Sequence, residues 1–324
     1  MPINIKVAGT WEETVPRVKV SGTWRDLSQA YVKVGGSWKE LLLNVFLYVG
    51  GDSVRKIDLS GNQVWNFTGH TSAVNDVAVD SDGFVYSTSF DNTVRKIDSS
   101  GNQVWSFTGH SSTTQSVGVD SNGFVYSGAG DYTLRKIDPD GNQVWSFTGH
   151  SGTVDSVAVG SDGFIYTGSY DNTVRKIDPD GNQVWSFTGN SENVSSVAVD
   201  SNGFVYSAGF DNTVRKIDPN GNQVWSFTGH TNYLNDVAVD SNGFVYSVSF
   251  DETVRKIDPD GNQVWSFTGY TTPVLTVAVD SDGFVYSGAT DETVRKIDSS
   301  GNQVWSFAST NSLNTTYGAA IGRG

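Results

Sequence analysis

Cysteine is absent from this chain of 324 residues, which excludes both a disulfide framework and a thiolate metal site. Methionine occurs only at position 1 and histidine only four times. No run approaches the roughly 18 consecutive apolar residues of a membrane-spanning helix. The start lacks the basic-then-apolar layout of a secretory signal, so the expectation is a soluble chain made in the cytoplasm, without membrane insertion. Basic residues are scarce beyond position 44. Residues 1–44 carry six basic and four acidic side chains, net +2, whereas 45–324 carry fifteen and thirty-one, net −16. So acidic a body repels phosphate backbones, and nucleic acid is excluded as a partner.

What the chain has in plenty is aromatic residues and repetition. Trp65, Trp105, Trp145, Trp185, Trp225, Trp265 and Trp305 recur every 40 residues without an insertion, and Trp11, Trp24 and Trp38 recur at 13 and 14. The two periods divide the chain near residue 44. The 40-residue unit reads as four short strands, which in 71–110 are "AVNDVAV", "GFVYSTSF", "TVRKID" and "NQVWSF". Each is rich in β-branched and aromatic residues and bounded by turn residues. In "DSDG" and "DPDG" the glycines, Gly83 and Gly141 among them, are free to take the positive φ such turns demand.

Units of about 40 residues with four antiparallel strands are the pattern of a β-propeller, in which each blade covers its neighbour's face and the ring leaves no face bare. The third-to-fourth-strand phrase occurs seven times, but the first-strand pattern "VAV" or "VGV" only six. The unmatched C-terminal segment "NSLNTTYGAAIG" (311–322), with Leu313, Thr315, Tyr317, Ala319 and Ile321 alternating, is expected to complete the first blade. The predicted fold is all-β: a small β-hairpin repeat module at 1–44, and a seven-bladed β-propeller at 45–324, closed by a C-terminal strand.

The stretch "GHTSAVNDVAVDSDGFVYSTSFDNTVRKID" resembles the WD-repeat family. His70, His110, His150 and His230 all fall at the Gly-His position of that pattern. The resemblance implies a structural network in which Asp91, Asp131, Asp171 and Asp251 are their partners. The family's Trp-Asp is Ile-Asp here, as in Ile97-Asp98, and the tryptophan in the fourth strand makes "DGFVYSG…RKIDPDGNQVW" more similar to quinoprotein-type repeats, whose tryptophan docks on the next blade. At the N-terminus "IKVAGTW", "VKVSGTW" and "VKVGGSW" resemble the short Trp-Lys repeats of bacteriophage tail and fibre proteins, which implies an attachment module that contacts other virion proteins. Covering one end of the propeller is the plainer use for three such hairpins.

No catalytic constellation emerges. A His repeated beside an Asp reads as a structural pair rather than a dyad. The paired carboxylates of "DSDG" lack the further ligands of a calcium loop. Arg95 and Lys96 point to opposite sides of their strand and are expected to be a solvated pair. No phosphate loop or nucleophile elbow appears. Neither a metal nor a cofactor is expected; a quinone-dependent oxidoreductase is the enzymatic alternative.

Comparing the copies shows where the chain was free to change. The segment after "FTG" reads "HTSAVND", "HSSTTQS", "HSGTVDS", "NSENVSS", "HTNYLND" and "YTTPVLT", and position 90 and its equivalents vary with it. Because antiparallel strands alternate direction, both regions lie on one face of the ring. Phe90, Tyr132, Tyr170, Phe210, Tyr233 and Phe250 are the expected binding residues there, stacking on a glycan or anchoring a host surface protein. Packing between blades is the competing use for the Phe90 series. The expected function is a virion-associated, non-catalytic binding protein of a phage tail or fibre. The alternative is a cytoplasmic scaffold propeller that gathers protein partners.

Overall fold

A computed structural model of the chain describes the backbone of residues 45–58, 62–291, 293–308 and 319–323, and six short strands within 1–44. Side chains are described within 46–306. The chain resolves into two compact units, 1–45 and 46–324. In the first, each Trp motif is a two-stranded antiparallel hairpin: Asn4–Val7 with Thr10–Glu13, Arg17–Val20 with Thr23–Asp26, and Ala30–Val34 with Ser37–Leu41. The tryptophan lies inside the second strand of each, paired in register with Lys6, Lys19 or Lys33.

The second unit is a seven-bladed β-propeller of four-stranded antiparallel blades. The second blade shows the pattern, running outward as Val74–Val79, Val85–Ser89, Val94–Ile97 and Gln103–Phe107. The first blade is assembled from both ends of the unit. Its innermost strand is Ala319–Arg323, beside Val45–Val49, Val54–Asp58 and Gln63–Phe67. Ala319–Arg323 also lies against the innermost strands of the second and seventh blades, so the ring is closed. Leu313, Thr315 and Tyr317 lie outside the described residues.

The core is a set of shared walls between blades. Tyr86, Val94 and Phe107 of the second blade pack on Val117, Val125 and Ile137 of the third. At the closure, Leu47, Val49 and Ile57 pack on Tyr286 and Val294. Burying a large apolar side chain contributes about 1.5–3 kcal/mol, and here half of each such contact comes from the next blade.

At the rim, the Trp105 Nε1–H donates to the Pro139 carbonyl across the blade boundary at 2.9 Å, and the same bond recurs from Trp65 to Trp265. The ring of Trp105 lies over Gly141, whose φ is +93° and where a Cβ would stand 3.1 Å from the indole. The turn glycine therefore answers two demands, the left-handed backbone and the flat seat for the neighbour's tryptophan. The Lys96 ammonium lies 4.4 Å from the centroid of the Phe84 ring and within reach of the Pro139 carbonyl. Arg95 donates to Gln103 and lies 3.6 Å from Asp91. The expectation of a solvated pair is corrected: alternation sends the two side chains to opposite sides, but a neighbour covers each, and Lys96 is buried.

Among the blades whose first two strands are joined by a turn of the "DSDG" kind, the fourth departs at the opposite face. In the "DSDG" turns the first Asp caps the turn and accepts the hydroxyl of the buried strand-two tyrosine, as in Tyr86 to Asp80 at 2.9 Å. The fourth blade has Gly160 there, and the Tyr166 hydroxyl is buried without a partner. Gly160 does not need a positive φ, and a Cβ would displace the flexible Asp162 carboxylate and stand 3.3 Å from the edge of the Tyr166 ring. Gly160→Asp is expected to gain about 1 kcal/mol and to raise Tm by about 2–4 °C in a thermal melt; an unchanged or lower Tm would refute this account.

Candidate functional site

The variable segments and the ends of the second strands meet on one face because each blade clamps them together. The Phe90 N–H donates to the Ala73 carbonyl, with equivalents from Gly130 to Thr113, Tyr170 to Thr153, Phe210 to Asn193 and Phe250 to Tyr233. Inside this face the innermost strands surround a cavity of about 470 Å³ on the ring axis. Phe90, Tyr170, Phe210 and Phe250 line its mouth, and Asp76, Asp155 and Asp236 line it deeper. Of the remaining aromatics chosen from sequence, Tyr233 stacks on Phe210 with centroids 4.8 Å apart at 16°, and Phe210 in turn meets Tyr170 at 5.9 Å. Tyr132 is not among the lining residues; it occupies a left-handed turn at φ 66° and is 48 % exposed.

The axial side chains also stitch the ring together. The innermost strands of the second to seventh blades each carry a bulge, between Val74 and Asp76 in the second. The side chain at the last position of the variable segment accepts a backbone N–H from the next blade, always 41 residues on. Val117 donates to Asp76, Val157 to Ser116, Val197 to Ser156, Val237 to Ser196 and Val277 to Asp236, at 2.9–3.2 Å. The copies do signal this belt, since the position reads Asp, Ser, Ser, Ser, Asp, Thr. Its chemical class is held while its identity varies, so that residue was not free to change.

Burial pushes the Asp76 carboxyl up to about 7, with the Asp236 charge adding to the effect and donors from Val117 and Ser116 offsetting part of it. Burial likewise pushes Asp155 up to about 7, against one hydrogen bond from the Tyr170 hydroxyl, and raises Asp236. Tyr170 is thus tied to the funnel floor as well as to Phe210.

Beneath the same face sit the histidines. His70 Nδ1 lies 2.9 Å from Asp91 and Nε2 lies 2.8 Å from the Ser87 hydroxyl. His110, His150 and His230 meet Asp131, Asp171 and Asp251 at 3.1, 2.8 and 2.8 Å. A Ser-His-Asp order invites comparison with a nucleophilic triad, but Ser87 is fully buried, so no substrate reaches its hydroxyl. Burial would raise the Asp91 carboxyl, yet hydrogen bonds from Thr93, the Thr71 N–H and His70 outweigh it and hold it at about 2. Burial lowers His70 and His230 below their ordinary range.

Two of the copies lack the histidine. Tyr270 reaches Ser287 with its own hydroxyl at 2.8 Å. Asn190 bonds Arg215 instead, and the Ser207 hydroxyl is left buried without a partner. Asn190→His is expected to restore the network with Asp211 and add about 1 kcal/mol, measured by denaturant melts; destabilisation would contradict it.

The groups act on stability with opposite signs. Histidines lowered by folding contribute stability present above pH 6.5 and lost as pH falls below it. Carboxyls raised by folding contribute stability present below about pH 4 and lost as pH rises toward 7. Asp76→Ser, which keeps a belt acceptor, is therefore expected to raise Tm at pH 8 by several degrees relative to its effect at pH 4; an equal effect at both would count against a charged, half-buried Asp76.

A search of the curated proteins finds no match to this chain. A family profile described as that of the outer membrane protein assembly factor BamB matches residues 50–156, 130–247 and 210–321. These matches overlap to cover nearly the whole propeller, in line with the fourth-strand tryptophan docked on the next blade. The chain belongs to the BamB family of quinoprotein-like β-propellers.

Proposed function

We propose that the protein is a non-catalytic binding propeller, which offers the funnel face to a partner and is held on a larger assembly through residues 1–44. The observation that carries this is where the copies differ. The turns of the opposite face are repeated almost unchanged, while side chains around the funnel mouth differ from blade to blade. A rigid scaffold with diversified loops on one face is built for recognition. The aromatic run Tyr170, Phe210 and Tyr233 supplies the large, partly exposed rings that anchor interfaces or stack on sugars.

The three Trp hairpins, by their resemblance to tail and fibre repeats, make that assembly a phage particle. The partner is then a host surface protein or glycan. The family's description as an assembly factor favours the second reading, a scaffold propeller that gathers protein partners within the producing cell. A quinone-dependent oxidoreductase finds less support. The described funnel lining holds three carboxylates and no lysine or arginine, which does not fit a polyanionic quinone.

Mass spectrometry of purified particles from the source is the deciding experiment. Stoichiometric presence is the expected result, and absence from particles with abundance in soluble extract would leave the scaffold reading in its place. On the binding side, Tyr170→Ala, Phe210→Ala and Phe250→Ala together are expected to weaken partner binding at least tenfold, about 1.4 kcal/mol, with the far-ultraviolet spectrum unchanged. Unaltered binding would refute the funnel face as the binding face.

A further inference from the structure

The three axial carboxylates come from alternate blades: Asp76 from the second, Asp155 from the fourth and Asp236 from the sixth. The belt bond alone does not require their charge, although Asp76 also accepts from the Ser116 hydroxyl and the Val77 N–H, and Asp236 from the Ser196 and Thr276 hydroxyls and the Val237 N–H. Asp76 and Asp236 occupy the belt position, whose task is to accept a backbone N–H, and Ser116, Ser156 and Ser196 perform it with a neutral hydroxyl. Asp155 stands one residue before the belt, where the other blades place Asn75, Gln115, Ser195, Asn235 or Leu275. Its donor among the described residues is the Tyr170 hydroxyl, which leaves most of its acceptor capacity unused. Holding such groups as anions in the cavity wall costs free energy; hydrogen bonds offset part of it at Asp76 and Asp236, and no lysine or arginine among the described lining residues offsets the rest.

Above the carboxylates, Tyr170 and Phe210 stand at the mouth of the cavity. Aromatic faces attract cations, more strongly where water is excluded, and carboxylates accept the N–H donors that a cation brings. A cavity of about 470 Å³ lies in the size range of pockets that enclose a ligand group. We propose that the axial funnel is a receptor for a cationic group, an alkylammonium or guanidinium, carried by a basic side chain of a protein partner or by a free polyamine. This deepens the reading that the funnel face binds a partner, and rests on it.

The test is titration calorimetry on the full chain with a tetra-arginine peptide, with spermidine, and with a neutral maltooligosaccharide. The funnel variant carries Asp76→Ser, Asp155→Asn and Asp236→Ser, which keeps a belt acceptor in every blade. The comparison variant carries Asp140→Asn, Asp180→Asn and Asp260→Asn. These exposed turn positions lie on the opposite face, and the fifth blade already has Asn220 there. Both variants remove the same charge from a chain of net −14. At least tenfold weaker cation binding in the funnel variant, with less than twofold change in the comparison variant, is expected. Binding of the peptide but not spermidine assigns the cation to a partner's side chain, and tight spermidine binding assigns it to a free polyamine. Equal losses in both variants, no cation binding, or binding of the sugar alone would overturn the proposal. Failure of the cation titrations alongside loss of partner binding in the triple alanine variant would remove this inference and leave the binding face standing.

Discussion

Every blade of this protein is incomplete until the next one is in place, and the completion is made at three radii. Near the axis, a short polar side chain accepts a backbone N–H from the neighbour. Midway, valines, isoleucines and tyrosines of adjacent blades form one wall. At the rim, an indole donates to a carbonyl of the neighbour's turn and lies on its glycine. A buried hydrogen bond of this kind contributes about 1 kcal/mol net, but more is lost if one partner is left alone. Repetition follows from that: a change in one copy of "VRKID…GNQVW" strands a group in another.

Much of the architecture is legible in the sequence. The 40-residue period, four strands per unit, positive-φ glycines and a strand borrowed from the C-terminus all follow from composition and spacing. Other features were hidden because they depend on what stands across a blade boundary. Strand alternation tells that Arg95 and Lys96 diverge, but not that Phe84 and the Pro139 carbonyl cover the lysine. The belt is only faintly legible in sequence because Asp76, Ser116 and Thr276 look unlike one another, although each is a short side chain with an oxygen able to accept. The aromatics of the variable face were legible as exposed rings. That Phe210 stacks on Tyr233 while Tyr132 sits apart depends on backbone conformation no periodicity encodes.

The funnel is where a nearly symmetric scaffold carries asymmetric chemistry. The strands around it are interchangeable in backbone, yet carboxylates enter from alternate blades only, and the mouth has aromatics on some blades and Gly130 or Thr290 on others. Departures elsewhere, such as Gly160 and Asn190, leave hydroxyls without partners and weaken the local structure. In the funnel the departures instead add charge and ring surface to a cavity, a different consequence of relaxing the same repeat.

The constant interval of the stitches has a bearing on copy number. Each belt bond joins a residue to one 41 positions ahead, and each indole reaches a carbonyl 34 positions ahead. Excising or inserting a whole 40-residue unit would leave every such bond with a partner of the same kind. Nothing in the pairwise chemistry, then, counts the blades. What remains to count them is the packing of the shared walls, where the strand-two tyrosines are the largest fully buried side chains. A gene for such a ring can lengthen or shorten by slippage and still encode a chain in which every local contact is satisfied, with only closure of the circle to select among the lengths.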